Sequence, residues 1–468
     1  MLNYFPQYFT KRAIYLYLLS MVAVMVLFNA FILPTTYIIL GFIEAVGFFY
    51  FANLQTIRWG QTAEKSFLRH IFFLALVLRI IYVVFNYFFM IYETGIPFEH
   101  AAADVLFYDS AARLGADQIA AGNYRLYDFF GVPLSDSGEV TYLSYVYAIF
   151  GKSIMFARLL KALWSALTCV LIYKLAKRNF GEQVARMATL FCVFMPNLIY
   201  YTGTHLKETE MTFLMVLFVE RLDDLLRNRK FKILNMLVPV LVVAVLFTYR
   251  TAVGITAIMS FFTTLVFSTK RVMNFGRRMI LIVWVASVVV FFWGGQIQME
   301  VEGLWEGRLT NQSVSMQDRA TMKGGNKFVE NLSAAVFVPL IFVIPFPTVV
   351  NIEMQHFQMM INGGNFVKNL MAFFVLLALY HLVKTGKWRD YTLIGSFMLF
   401  YLIIIAFSKF AAVERFHLPI IPFFMTFAAY GVSLITNKTK KYYNIYIVLL
   451  FVAIIGWSWF KLGGRGLI

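Results

Sequence analysis

Long apolar runs, broken at intervals by clusters of lysine and arginine, recur along the whole chain. They read as spans at roughly 13–33, 35–53, 71–92, 154–176, 183–202, 209–226, 231–249, 252–268, 278–296, 365–383, 391–408, 417–436 and 443–460. Many reach the ~20 residues that a helix needs to cross a ~30 Å hydrocarbon core. The runs do not alternate polar and apolar residues, which excludes a transmembrane barrel, and lipid leaves only helices as the other way to satisfy the backbone. The pattern therefore predicts an all-α polytopic membrane protein of about 13 spans, one integral domain over residues 1–468.

The interruptions set a topology. Lys11 and Arg12 come before the first span, and Arg58, Lys65 and Arg69 separate the second from the third. Then come Lys174, Lys177 and Arg178; Arg227, Arg229, Lys230 and Lys232; Lys270, Arg271, Arg277 and Arg278; Lys384, Lys387 and Arg389; and Lys438, Lys440 and Lys441. Threaded in order, every group lands on one side, which the positive-inside rule makes the cytoplasm. The N-terminus is then inside, the C-terminus outside, and residues 93–152, 203–208, 297–330 and 409–416 form outer loops. Residues 331–364 must enter and leave on one side; their Pro345 and Pro347 turn reads as a re-entrant or surface segment, so 297–364 is expected to be outer loop plus such a segment.

Composition agrees: 60% of residues are hydrophobic and 14% charged, well short of the ~25% charged that soluble domains carry. The net charge is +17, and the placement of the basic residues assigns it to a membrane face rather than to nucleic acid. Cys169 and Cys192 fall inside apolar spans and read as small core residues. Residues 13–33 lack a small-residue cleavage site, so no cleavable leader is expected. No GxxxxGK[ST], HExxH, paired CxxC or GxGxxG motif marks a soluble enzyme; Gly324 and Gly325 read as loop material.

One loop reverses the charge. Glu93, Glu99, Asp104, Asp109, Asp117, Asp128, Asp136 and Glu139 face only Arg113 and Arg125 between them. Within it, Asp104, Tyr108 and Ala112 recur every fourth residue and share a helical face, whereas Asp109 lies about 140° around the helix from Asp104. A carboxylate at a half-dry surface can serve as general base toward a hydroxyl or amine; a solvated amphipathic helix with ordinary surface acids is the plainer alternative. Cations gather at the same membrane face: Arg158 and Lys161 in the outer third of a span, Lys207 beside His205 and Glu208, Arg250 between two spans, and Arg415 and His417 near Lys409. Arginine grips phosphate with a bidentate fork, so these are candidate lipid-phosphate ligands, with snorkelling as the alternative for any one of them. His100, Asp104 and Asp109 are candidates to hold a divalent ion, although their spacing is no recognised metal pattern. Glu44 and Arg79, each nine or ten residues into its span, are expected to form an ion pair at mid-depth, with a proton or ion path as the alternative.

These residues resemble membrane glycosyltransferases of the GT-C fold, of the protein-mannosyltransferase and aminoarabinose-transferase type (glycosyltransferase family 39). Asp104-Val-Leu-Phe-Tyr108 with Ala112 is similar to the D-x-x-x-Y-x-x-x-A pattern of that family's first outer loop. YLSYVYAIFGKSIMFARLLKAL, with Phe150, Gly151 and Arg158, resembles its loop-to-helix stretch; LKETEMTFLMVL resembles the segment before a middle span, and ERFHLPIIPFFMTFAAYG its late R-[FY]-x-L-P-x-x-P motif. The resemblance implies transfer of a sugar from a polyprenyl-phosphate donor to a lipid, glycan or protein acceptor outside the cytoplasm, with no nucleotide donor. It implies Asp104 as the base, inversion at the anomeric carbon, and Lys207, Arg250 and Arg415 stabilising the departing phosphate. Three departures stand out. Two spans precede the one entering the loop, Asp104 lacks the neighbouring Glu of many relatives so that Asp109 stays open as the base, and only a short tail follows residue 460. A bacterial inner membrane is the expected setting. A lipid-linked sugar flippase, a glycan ligase or polymerase, and a non-catalytic scaffold are the competing readings.

Overall fold

The computed structural model describes residues 2–99, 103–126, 134–228, 233–267, 287, 294–295, 298, 340–353, 355–407 and 413–468. Nearly all of the expected span 278–296 and of the expected outer loop 297–330, together with His100 and Lys409, lie outside these residues. The helices are α1 (Gln7–Leu27), α2 (Thr35–Trp59), α3 (Glu64–Thr94), α4 (Ala103–Ala120), α5 (Leu134–Phe150), α6 (Ile154–Phe180), α7 (Glu182–Phe194) and α8 (Pro196–Gly203). After them come α9 (Glu208–Asn228), α10 (Ile233–Tyr249), α11 (Thr251–Phe267), the short α12 (His356–Met360), α13 (Asn362–Lys384), α14 (Thr392–Phe407), α15 (Ile421–Ser433) and α16 (Asn437–Gly463).

Among the described residues, eight helical segments are long and apolar enough to cross a membrane, or nine if α7 and α8 count as one span bent by 43°. Pro196, at the first position of α8, has no amide hydrogen to continue α7, which accounts for the bend. α10 and α11 are apolar but shorter. α9 is interior and carries Glu208, Glu210, Glu220, Arg221, Asp223, Asp224 and Arg227, too many charges for a lipid-facing span. The described residues thus account for eight or nine of the roughly 13 expected spans, and they leave out nearly all of the expected span 278–296. The first span also shifts: α1 begins after Pro6 and ends at Phe28, because Lys11 and Arg12 are part of the helix, Arg12 donating to Asn444 at 2.9 Å. α3 extends to 31 residues and stops at Gly95, whose φ of +78° is the left-handed conformation that glycine supplies at helix ends.

α15 is the hub of the bundle, packed on α13, α7 and α6 and buried along its length. It approaches α13 so closely that a Cβ at Gly431 would collide with the Phe374 carbonyl, so only glycine fits there. Residues 340–353 are irregular yet largely buried, and side chains satisfy their backbone: Lys368 donates to the Ile344 carbonyl, and Asn369 to those of Val343 and Pro345. Irregular backbone that is buried is tolerable only when protein supplies such partners.

Polar contacts separate into two sets, at opposite ends of α6 and α9. At one end Arg178 binds Glu220, Asp223 and Asp224, Arg227 reaches Asp223 and the Asp390 carbonyl, Arg186 reaches Trp59 and Thr62, and Lys177 pairs with Glu64. These are the loops that the basic clusters put on one side. At the other end, α4 and α5 pack on each other, and α5 packs against α10. They are fastened there by Lys161, fully buried on α6, which lies 3.3 Å from Glu139 of α5 and 3.2 Å from Glu210 of α9 and also donates to the Leu206 carbonyl.

Glu44 and Arg79 do not pair. Arg79 donates to Ser165 at 2.6 Å and to the carbonyls of Val193 and Cys192, because its face of α3 meets α6 and the end of α7. Glu44 instead accepts the Gly364 amide at 3.0 Å, capping the first turn of α13, where a carboxylate meets the positive helix end. Two outcomes follow for detergent-solubilised protein followed by thermal or denaturant unfolding. Lys161→Met leaves two buried carboxylates without their cation and should cost ~3–5 kcal/mol. Glu44→Gln and Arg79→Gln should be additive within ~0.5 kcal/mol in a double-mutant cycle, and a coupling well above that would restore the ion pair.

Candidate active site

The exposed end of α4 carries Asp104 in its first turn, where the side chain is 51% exposed. Its partner comes from far along the chain: Arg415 Nη1 lies 2.8 Å from Asp104 Oδ2. Arg415 sits on the 3-10 helix Glu414–Ile420 that leads into α15 and packs on α9. This short helix sorts its side chains by direction. The Phe416 ring lies between two guanidinium groups, 5.0 Å from that of Arg415 and 4.4 Å from that of Arg250.

Arg250, at the junction of α10 and α11, is 3.2 Å from Glu208 Oε1 and 3.4 Å from the Tyr401 hydroxyl. Glu208 opens α9, is almost wholly buried, and keeps its Oε2 without a hydrogen bond. One residue earlier, Lys207 bonds Asp136 and donates to the Ser135 carbonyl at 2.9 Å. Asp136 also accepts the Tyr108 hydroxyl at 3.2 Å. Burial, followed by the charges of Asp136, Glu208 and Asp104, holds the Tyr108 phenol above its ordinary value, so it remains a donor. Burial, followed by neighbouring Arg250, lowers the Lys207 ammonium. Asp104, Tyr108, Lys207, Glu208, Arg250 and Arg415 therefore form one rim, with three cations each facing a carboxylate.

A second layer lies beneath. Asp109 is largely buried; its Oδ1 accepts the Tyr147 hydroxyl at 2.6 Å and its Oδ2 lies 2.7 Å from Arg113 Nε. Tyr147 gives its only proton to Asp109, so the 3.2 Å contact from His205 Nε2 requires that nitrogen to carry the hydrogen. Burial, then the charges of Lys161 and Arg158, pushes the imidazole well below its ordinary value and keeps it neutral. The 140° offset between Asp104 and Asp109 thus separates an accessible carboxylate from an enclosed one. Arg158 is fully buried, donating to the Pro97 carbonyl at 2.7 Å and to Glu99 at 3.4 Å, while Glu99 accepts the His205 amide at 3.2 Å. That set stitches the start of the loop to the α8–α9 turn. His417 points away from the rim, its Nδ1 2.9 Å from the buried Lys368 ammonium.

Asp136, Tyr147, Tyr401 and Phe416 are the contributors that sequence reasoning passed over. Asp136 was visible only as one more acid of the loop, and Tyr401 only as a hydroxyl inside the apolar run LFYLIII. Among the described residues no group of three or more His, Cys, Asp or Glu is arranged to hold a metal ion, and His100, the third member of the candidate divalent site, is not among them.

Comparison with known proteins gives one match. The family model for dolichyl-phosphate-mannose-protein mannosyltransferase covers residues 142–293, less than half of the chain. That stretch includes Arg158, Lys207, Glu208 and Arg250 but stops short of Asp104 and Arg415. No curated protein and no solved structure matches. Over residues 142–293 the chain is similar to the dolichyl-phosphate-mannose-protein mannosyltransferase family, and this match together with the apolar helices supports an integral membrane glycosyltransferase of the GT-C type.

Proposed function

We propose that the protein transfers a sugar from a polyprenyl-phosphate donor to an acceptor hydroxyl or amine at the extracytoplasmic membrane surface. Asp104 is the general base. The observation that carries this reading is the meeting of Asp104 with Arg415, 311 positions apart, at 2.8 Å on a rim that also holds Arg250 and Lys207. An accessible carboxylate beside clustered cations is what the reaction requires. Asp104 takes the acceptor proton as the acceptor atom attacks the anomeric carbon. The bond from that carbon to the phosphate oxygen breaks with inversion, and the phosphate leaves with the electron pair. Arg415, Arg250 and Lys207 stabilise the charge that develops on it.

Asp109 is the weaker candidate because Tyr147 and Arg113 already occupy both of its oxygens. A carboxylate accepting two strong bonds is held in place rather than free to take a proton. Arg158 is likewise committed beneath the rim, and His417 is turned toward Lys368. The rim rather than the lower layer is therefore the phosphate site. The sidedness rests on the basic clusters, which mark the opposite end of the bundle as cytoplasmic.

The flippase reading draws on other residues. α7 and α8 break at Pro196, α13 starts in mid-bundle against Glu44, and Asn197, Asn362, Asn365 and Tyr17 line that region. These groups mostly bond one another, Tyr17 to Asn362 at 2.7 Å and Asn197 to Asn365 at 3.2 Å. A set that satisfies itself serves packing better than passage.

The test is sugar transfer by purified protein in nanodiscs, with labelled polyprenyl-phosphate sugars and crude membrane acceptor. Asp104→Asn should lower the rate by ~10²–10⁴, and Arg415→Gln by ~10²–10³. Asp109→Asn should keep transfer within about tenfold while lowering the melting temperature, because the amide can accept from Tyr147 but sets its NH2 donor against Arg113 and loses that ion pair. Carrier-dependent transfer that survives Asp104→Asn would remove this residue as the base.

A further inference from the structure

Each candidate phosphate-binding cation of the rim is engaged by a carboxylate, but the three pairs are not equivalent. Glu208, which faces Arg250, has a side chain 2% exposed, whereas Asp104, which faces Arg415, is 51% exposed. Asp136, facing Lys207, is intermediate at 36% and is further tied to Tyr108. Separating a desolvated pair strands a buried charge and is strongly unfavourable. A half-exposed pair contributes little and separates easily. An incoming phosphate that must find a free guanidinium therefore has one easy opening, the Asp104–Arg415 pair.

We propose that the Asp104–Arg415 ion pair is an autoinhibitory contact that the donor phosphate breaks, so that the base becomes available only when the carrier is bound. The inference rests on the transferase reading above and adds an order of events to it. In the carrier-free protein, Arg415 holds Asp104 Oδ2 at 2.8 Å and keeps the carboxylate turned to the guanidinium rather than to an acceptor. A phosphate offers Arg415 two charged oxygens in the geometry of its fork, which a single carboxylate oxygen at the rim does not match. The aromatic face of Phe416, flanked by Arg415 and Arg250, keeps both guanidinium groups at the site during the exchange. Arg250 meanwhile stays on the buried Glu208. The released Asp104 then faces the acceptor side of the rim.

The experiment measures binding of sugar-free polyprenyl phosphate, titrated into nanodiscs of wild type, Asp104→Asn, Asp104→Ala and Arg415→Gln, with transfer measured in parallel. Removing the competing carboxylate should tighten carrier binding roughly two- to fivefold in both Asp104 variants, the range that loss of one half-exposed ion pair allows. Arg415→Gln should weaken it by about tenfold or more. Unchanged or weaker carrier binding in both Asp104 variants, with transfer abolished, would overturn the gate and leave the base assignment standing. Transfer that persists in Asp104→Asn would instead bring down the transferase reading at that residue. Carrier binding unaffected by Arg415→Gln would overturn the gate from the other partner.

Discussion

The architecture of the candidate site depends on one buried cation. Lys161 is enclosed within the bundle yet touches Glu139 from the loop layer and Glu210 from an interior helix. A charge in that position persists only because each partner removes part of the penalty of burying the others. The geometry is specific in consequence: α5 cannot slide or rotate on α6 without uncovering an unpaired charge. α4 packs on α5, so Asp104 inherits its position from the triad, and Lys207, just before α9, and Glu208, its first residue, come just ahead of Glu210. Both halves of the rim are thus referred to the same ammonium group. Burial raises the Glu139 carboxyl above its usual range, and Lys161 is the largest influence opposing that rise. The ion therefore holds the loop layer and also counters the burial that disfavours the loop carboxylate's charge.

The acidic loop takes on a different meaning in this light. Read alone it is a patch of negative charge, yet most of its acids are each matched by a cation. Glu99 meets Arg158, Asp104 meets Arg415, Asp109 meets Arg113, Asp117 meets Lys152, Asp136 meets Lys207 and Glu139 meets Lys161. All of these cations but Arg113 come from outside α4 and α5. The loop and the bundle are complementary in charge, and the loop's excess acidity is largely the other half of the bundle's outer basic residues. The buried pairs Glu99–Arg158 and Glu139–Lys161 are neither solvated nor snorkelling, whereas Asp104 and Asp117 keep the exposure of a solvated helix face.

How much of this was legible in the sequence follows from the range of each interaction. Helices are local, so every apolar run within the described residues reappears as a helix or helix pair, with Pro196 and Gly95 marking a bend and an end by backbone chemistry alone. The number of spans was less legible, because α9 has a helix's spacing but charges that only interior packing reveals as buried. The gathering of Asp104, Tyr108, Lys207, Glu208, Arg250 and Arg415 was legible as a set through motif order and shared placement. Their pairing was not. Nothing near Asp104 in the chain announces Arg415, and equal depth on neighbouring helices wrongly coupled Glu44 to Arg79. Depth fixes one coordinate, whereas an ion pair also needs the two faces to turn toward each other, and here α3 turns Arg79 to α6 while α2 turns Glu44 to α13.

The two carboxylates on α4 carry this argument to the chemistry. They lie five residues apart on one helix, in one acidic segment, with no difference in residue type to separate them. The helix turn makes the difference: one falls on the face that meets Tyr147 and the His205 turn, the other on the face that meets the 3-10 helix before α15. Enclosure by donors converts Asp109 into a fastening, whereas Asp104, half exposed, meets a single arginine through one oxygen. A reaction at a membrane surface needs both kinds. On the proposed mechanism, a base that changes partners must be mounted on a helix that stays in place, and the same five-residue interval would supply both the mount and the base.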